Sequence, residues 1–196
     1  MRSFLLALLS LNTALLCAQD ANVEARDRTP VEAKFSPGGH LSLDLCSSEA
    51  ELKGTDENLV RVSYHSERDR TNNVTVRLKT SGGKAYVKVR GCPHNNFLLT
   101  VELPKSSDLY VRMFAGELNV QGITGNKDVQ LHAGQLTMEI GQPADYAHVD
   151  ASVVSGELDA VPFDLSKGGL FRSFDRSGPG KYRLHAHVGA GELDLR

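Results

Sequence analysis

Val111-Arg112-Met113-Phe114-Ala115-Gly116-Glu117-Leu118-Asn119-Val120 returns three times further along the chain. The later copies are Val129-Gln130-Leu131-His132-Ala133-Gly134-Gln135-Leu136-Thr137-Met138, Ala151-Ser152-Val153-Val154-Ser155-Gly156-Glu157-Leu158-Asp159-Ala160 and Ala186-His187-Val188-Gly189-Ala190-Gly191-Glu192-Leu193-Asp194-Leu195. Each runs apolar-x-apolar-x-small-Gly-(Glu/Gln)-Leu-x-apolar. Alternate residues before the small-Gly pair share one face, so Val111, Met113 and Ala115 point one way. After the glycine the phase resets, and Leu118 and Val120 point inward. A bend or bulge produces such a slip, and glycine permits the backbone it needs. Each repeat therefore reads as two short strands joined at a corner.

Successive central glycines lie 18, 22 and 35 residues apart. At about 3.3 Å per residue, the shortest interval traces roughly 60 Å, enough for one lap of a narrow coil. One lap holds too few inward side chains to offset the entropy of ordering it, so laps must stack and share a core. The pattern predicts an all-β fold, a single-stranded β-helix or β-solenoid of short stacked strands. Its clearest repeats occupy 109–196 of a single domain spanning 31–196.

The last interval is too long for a plain lap. It holds Phe163, Phe171 and Phe174 beside Lys167, Arg172, Arg176 and Lys181, then the turn Ser177-Gly178-Pro179-Gly180. Residues 162–181 read as a loop leaving the stack, as insertions in such folds commonly do. Phe171 and Phe174 could stack on sugar faces there, with Arg172 and Arg176 holding acidic groups. The plainer reading has the phenylalanines plugging the end of the core. After Arg196 no capping segment follows, so the strand ending at Leu195 reads as an open edge through which copies self-associate.

Upstream, His40–Leu45, Leu59–Tyr64, Val74–Leu78, Ala85–Val89 and Phe97–Leu103 alternate as strands without matching the repeat, so the N-terminal part is less regular. Residues 19–30 are polar and charged and read as a flexible lead-in. Before them, Met1-Arg2 and the apolar run Phe4–Leu16 lead to Cys17-Ala18, which reads as a secretory signal peptide over 1–18 cleaved after Ala18. That run is too short for a transmembrane span. Leu16 is large where a lipoprotein signal has a small residue, so attachment through Cys17 is not expected. Cys46 and Cys92 are left as an even pair in an oxidising compartment, and a disulfide between them is expected.

The composition narrows the function. A formal net charge of -2 leaves no basic stripe for nucleic acid. His185 and His187 share a face, and His132 falls one slot out of phase with His187. No third metal ligand accompanies them, so they read as a solvated face. Glu157, Asp159, Glu192 and Asp194 would line one wall if their laps were adjacent. They could then hold calcium through oxygen ligands, though a solvent-exposed ladder tolerates such repulsion. Gln135, in the slot that is Glu in the other copies, dilutes that charge. No cofactor or metal is expected, and no nucleophile elbow, zinc helix or phosphate loop is present.

The recurring Ala/Ser-Gly-Glu/Gln-Leu-x-apolar units behind a signal peptide resemble the bacterial putative-adhesin family of β-solenoid domains of unknown function, over most of the mature chain. The resemblance implies a single-stranded β-helix or similar roll in the cell envelope, and its motifs carry no catalytic residues. The expectation is an exported structural, adhesion or interaction module, periplasmic or extracellular and without catalysis, that meets an envelope protein or glycan. The alternative is a carbohydrate-binding or carbohydrate-cleaving β-helix protein that uses the 162–181 excursion.

Overall fold

The computed structural model describes residues 20–66 and 73–196. The signal peptide expected over 1–18, with Cys17, lies outside the described residues. Thirteen strands follow: β1 (Ala21–Arg26), β2 (Val31–Lys34), β3 (His40–Leu45), β4 (Glu49–Thr55), β5 (Leu59–Ser66), β6 (Thr75–Ser81), β7 (Lys84–Arg90), β8 (Phe97–Pro104), β9 (Asp108–Gln121), β10 (Lys127–Met138), β11 (Tyr146–Ala160), β12 (Leu165–Ser177) and β13 (Tyr182–Leu195). The fold is all-β, with only two 3₁₀ turns, Pro143–Asp145 and Val161–Phe163, among the described residues.

The strands join in the order β1-β6-β7-β3-β9-β10-β13-β11-β12, and a second path, β2-β5-β8-β4, meets the first at β9. The reason lies in β9 itself. Its first half pairs with β3 and its second half with β4, so a bend between Met113 and Glu117 sends the two halves to two walls. The inward side chains of both walls meet in one hydrophobic core. Leu109, Val111 and Met113 are buried on one side of the bend, and Leu118 and Val120 on the other. The predicted phase slip is present, but it spans Phe114 to Glu117, so Ala115 is exposed rather than inward. The repeats are also continuous strands of 12–15 residues rather than pairs of short ones.

Successive repeats stack parallel and in register, with glycine on glycine. Gly134 lies between Gly116 and Gly191, and Gly191 between Gly134 and Gly156. Their φ angles are 129°, 127°, 137° and 141° for Gly116, Gly134, Gly191 and Gly156, values that side chains resist. A Cβ on Gly134 would sit inside the carbonyl oxygen of Gly116, and one on Gly191 inside that of Gly134. The column needs glycine twice over, for its backbone angle and for the closeness of its neighbour.

The order of laps differs from their order in sequence. β13 enters between β10 and β11 and is paired along both sides, so the strand ending at Leu195 is interior rather than the open edge expected of it. The excursion is likewise no loop. Leu165–Ser177 forms β12, antiparallel to β11, and stands at the end of the sheet. It adds a fifth glycine to the column, Gly169 opposite Gly156, with φ of 119°.

The N-terminal half continues the same stack. The offset pairing Leu45 with Met113 also pairs Glu49 with Glu117, so β3 and β4 form a further lap with Ser48 in the glycine slot. β7 and β8 lie beside β3 and β4 and carry extra residues at the corner. Cys46 and Cys92, at these two neighbouring corners, are joined by a disulfide. It closes a loop across 46 residues, a constraint on the unfolded chain typically worth about 2–4 kcal/mol. β5 with β6, then β2 with β1, add antiparallel laps at the other end. Within the expected lead-in over 19–30, Ala21–Arg26 is part of the sheet, paired with β6 along its whole length.

One core position breaks the pattern. Lys127 pairs with Leu109 on one side and Leu184 on the other, so an amine stands in a leucine column at 2% exposure. Its Nζ donates to the Tyr146 hydroxyl at 2.8 Å and the Gly125 carbonyl at 3.2 Å, and the Tyr146 hydroxyl donates to the Ile140 carbonyl at 2.9 Å. Burial lowers the Lys127 pKa to about 8 and raises that of Tyr146.

Two predictions follow from this packing. Gly134→Ala should lower the urea-unfolding free energy by about 4 kcal/mol or more, through positive φ and backbone overlap together. Gly168→Ala, whose Cβ meets nothing within 4 Å, should leave it nearly unchanged, and equal effects would refute the column argument. For Lys127, the folded chain binds fewer protons than the unfolded one between about pH 8 and the ordinary lysine value of 10.5. Stability should therefore rise with pH from about 8, by up to about 3 kcal/mol over the full window. Above 10 the raised Tyr146 pKa works the other way, because the folded chain then holds the extra proton. Urea midpoints at pH 7.5, 8.5 and 9.5 should climb relative to those of Lys127→Met; parallel profiles would contradict it.

Candidate functional site

The sequence singled out Phe171, Arg172, Phe174 and Arg176, and β12 separates them into two groups. Phe174 tilts against Phe163 with ring centroids 5.0 Å apart, and the Arg176 guanidinium lies over the Phe163 ring at 5.3 Å. Both belong to the inward row of β12, opposite buried Ala151 and Val149. Arg172 opposes buried Val153, and its Nε donates to the Gly168 carbonyl at 2.7 Å. With Lys167 opposite Leu158, this row sets cations over the end of the core, a way of blunting a sheet end. Phe171 is 79% exposed at the corner, apart from Phe174. The four residues thus do not form one aromatic and cationic platform.

The structural repeat residues hold the corner. Glu117, Gln135, Glu192 and Glu157 follow one another along the second wall, and beside them run Asn119, Thr137, Asp194 and Asp159. The four acids Glu157, Asp159, Glu192 and Asp194 do come together, as adjacent laps would require. Gln135 separates Glu117 from Glu192, as charge dilution requires. Asp194, 7% exposed, accepts from Arg196 Nε at 2.7 Å and ion-pairs with its Nη2 at 2.6 Å. Hydrogen bonding to that carboxylate raises the Arg196 pKa. Among the described residues no group of three or more His, Cys, Asp or Glu side chains is arranged to hold a metal ion.

A second cluster, missed from the sequence, lies on the first wall beside the corner. The outward row Asp44, Arg112, Gln130, His187 crosses four neighbouring laps in register. Above it stand Phe114, 74% exposed, and His132, stacked with centroids 4.9 Å apart and planes 18° from parallel. The next corner slot holds Gly189, so the ring stack ends there in bare backbone. Row and ring stack bound a groove of about 360 Å³. Each polar group is held from outside the groove. Asp44 pairs with Lys88 at 2.5 Å, and His187 Nδ1 is 2.9 Å from the Ser152 hydroxyl. The Arg112 guanidinium lies over the Tyr110 ring at 5.1 Å and has no carboxylate partner among the described residues. The sequence held one signal for this site: Phe114 and His132 occupy the same position of successive repeats. That position faces outward, where an aromatic is out of place. Of the other histidines, two engage carboxylates, His185 with Asp150 at 3.0 Å and His148 with Asp175 at 3.3 Å.

No protein-family model matches the chain, and no curated protein matches it in sequence. Among solved structures, it is similar to the crystal structure of a putative cell adhesion protein from Clostridium sporogenes. The two share 12% identity with a TM-score of 0.49, over 85% of this chain and 99% of that one. No helix of the described residues is long and apolar enough to cross a membrane.

The split of β12 makes a prediction. Phe174→Ala should cost roughly 1–3 kcal/mol of unfolding free energy by uncovering Phe163 and the end of the core, whereas Phe171→Ala should change it by less than about 0.5. Equal losses in urea titration would show that both rings serve the core.

Proposed function

We propose that this chain is an exported β-solenoid that works as a structural, adhesive or interaction module of the cell envelope, without catalytic activity. The observation that carries the reading is the shared register of β9, β10, β13 and β11 through the corner. Because each lap repeats its neighbour, outward side chains stand in continuous rows along two long walls and a corner ridge, a surface suited to an extended partner. Phe114, Val154, Leu170 and Phe171 add exposed apolar area at or beside that ridge, of the kind found at interaction sites. The Cys46–Cys92 disulfide fits a compartment outside the cytoplasm, as does the leader reading of 1–18. The partner is an envelope protein or glycan.

Carbohydrate recognition through the 162–181 excursion has weaker support, because Phe174 and Arg176 are occupied with Phe163. The module reading predicts that the tagged protein co-sediments saturably with isolated cell envelopes from the producing cell. It also predicts that the tagged chain fractionates outside the cytoplasm. Failure of the envelopes to retain it, at protein concentrations up to tens of micromolar, would reject the reading.

A further inference from the structure

We infer that the groove beside the corner is a saccharide site, and that it takes an acidic sugar through Arg112 and the Phe114–His132 ring stack. The inference rests on the interaction reading above and gives it a ligand class and an address. Three features point the same way. Phe114 and His132 lie nearly parallel, and at 74% exposure the phenylalanine has a face free for a ligand. An exposed aromatic face with a polar rim suits the C–H face of a pyranose, which has apolar C–H groups on one side and hydroxyls around its edge. Gly189 leaves the corner open past His132, so a chain of sugars can run on along the ridge; a Cβ there would press on the His132 backbone.

The polar row then selects the charge. Among the described residues Arg112 has no carboxylate partner, while Asp44 is already paired with Lys88. A planar guanidinium matches a carboxylate in a two-pronged hydrogen bond, which a neutral sugar cannot reproduce. The Tyr110 ring lies against the guanidinium at 5.1 Å and helps to hold it over the row. Gln130, whose Nε2 donates to Asp128 at 3.2 Å, keeps its amide oxygen for a sugar hydroxyl, as His187 keeps Nε2, its Nδ1 being held at Ser152. A volume of about 360 Å³ accommodates one to two sugar rings, so a uronic-acid unit of a longer polymer is the expected occupant.

Isothermal titration of the purified chain with tri- to hexameric oligogalacturonate, against neutral oligoglucans of the same length in 150 mM salt, tests this. Oligogalacturonate should bind with a dissociation constant below about 1 mM, and the oligoglucan at least tenfold more weakly. Arg112→Gln should erase the difference between the two polymers, and Phe114→Ala should weaken both at least tenfold. Both side chains are exposed, so unfolding midpoints should stay unchanged, which separates lost binding from lost structure. Val161→Ala, exposed in the Val161–Phe163 turn and outside the groove lining, should bind like the parent. Equal affinity for acidic and neutral polymers, no oligogalacturonate binding, or unaltered binding by Arg112→Gln and Phe114→Ala would overturn the site. If envelopes still retain the protein in that case, only the groove falls; if they do not, the interaction reading falls with it.

Discussion

Every lap of this chain must turn from one wall to the other at the point where neighbouring laps come closest. A side chain there would have to occupy the space of the next lap's carbonyl. Glycine resolves the conflict at Gly116, Gly134, Gly191 and Gly156, where the backbone takes φ values between 127° and 141°. Once the corner is fixed, the rest of the register follows. The residues on either side are set in phase with their neighbours, and the inward rows of both walls close over one core. The lap formed by β3 and β4 shows how far the rule can bend. Ser48 holds the glycine slot there, at the end of the column, where it has a glycine lap on one side only and the disulfide-linked corner of β7 and β8 on the other.

The same register that builds the core also makes the surface. In a parallel stack each outward position becomes a row, so one substitution alters a line of chemistry rather than an isolated spot. The second wall is an acidic row broken by Gln135, with Arg196 folded back on Asp194. The first wall alternates polar and aromatic side chains and turns at the corner into Phe114 and His132. Lys127 is what the register does to a misfit. Its column is leucine on both sides, and the amine is kept in place by the Tyr146 hydroxyl and the Gly125 carbonyl instead of by apolar contacts.

The two ends of the pile are handled differently. β12 runs antiparallel and turns Lys167, Arg172 and Arg176 toward the end of the core, with Phe174 on Phe163 covering what the cations leave. Such a row discourages another strand from adding on, because it would have to bury unpaired charge. At the other end, β1 and β2 close the stack with antiparallel pairing and the ion pairs Arg77–Glu24 and Arg61–Glu32.

The all-β class, the corner and the phase reset are legible along the chain, since alternation and a recurrent glycine are local features. The sequence also pointed to the Cys46–Cys92 pair, and to a gathering of Glu157, Asp159, Glu192 and Asp194 on the condition that their laps were adjacent. Which laps touch is set by packing between distant parts of the chain. The insertion of β13 between β10 and β11 depends on what fills the gap left by a longer connection, and no local pattern encodes that. The laps of the N-terminal half were hidden for a related reason: Ser48 and Ala50 replace the motif's glycine and leucine, just as β12 at the other end keeps only its glycine, Gly169. The groove was illegible because Asp44, Arg112, Gln130 and His187 lie far apart in the chain and meet only through cross-strand register. Periodicity along one strand says which way a side chain faces; what it faces beside is set by hydrogen bonding to the next strand.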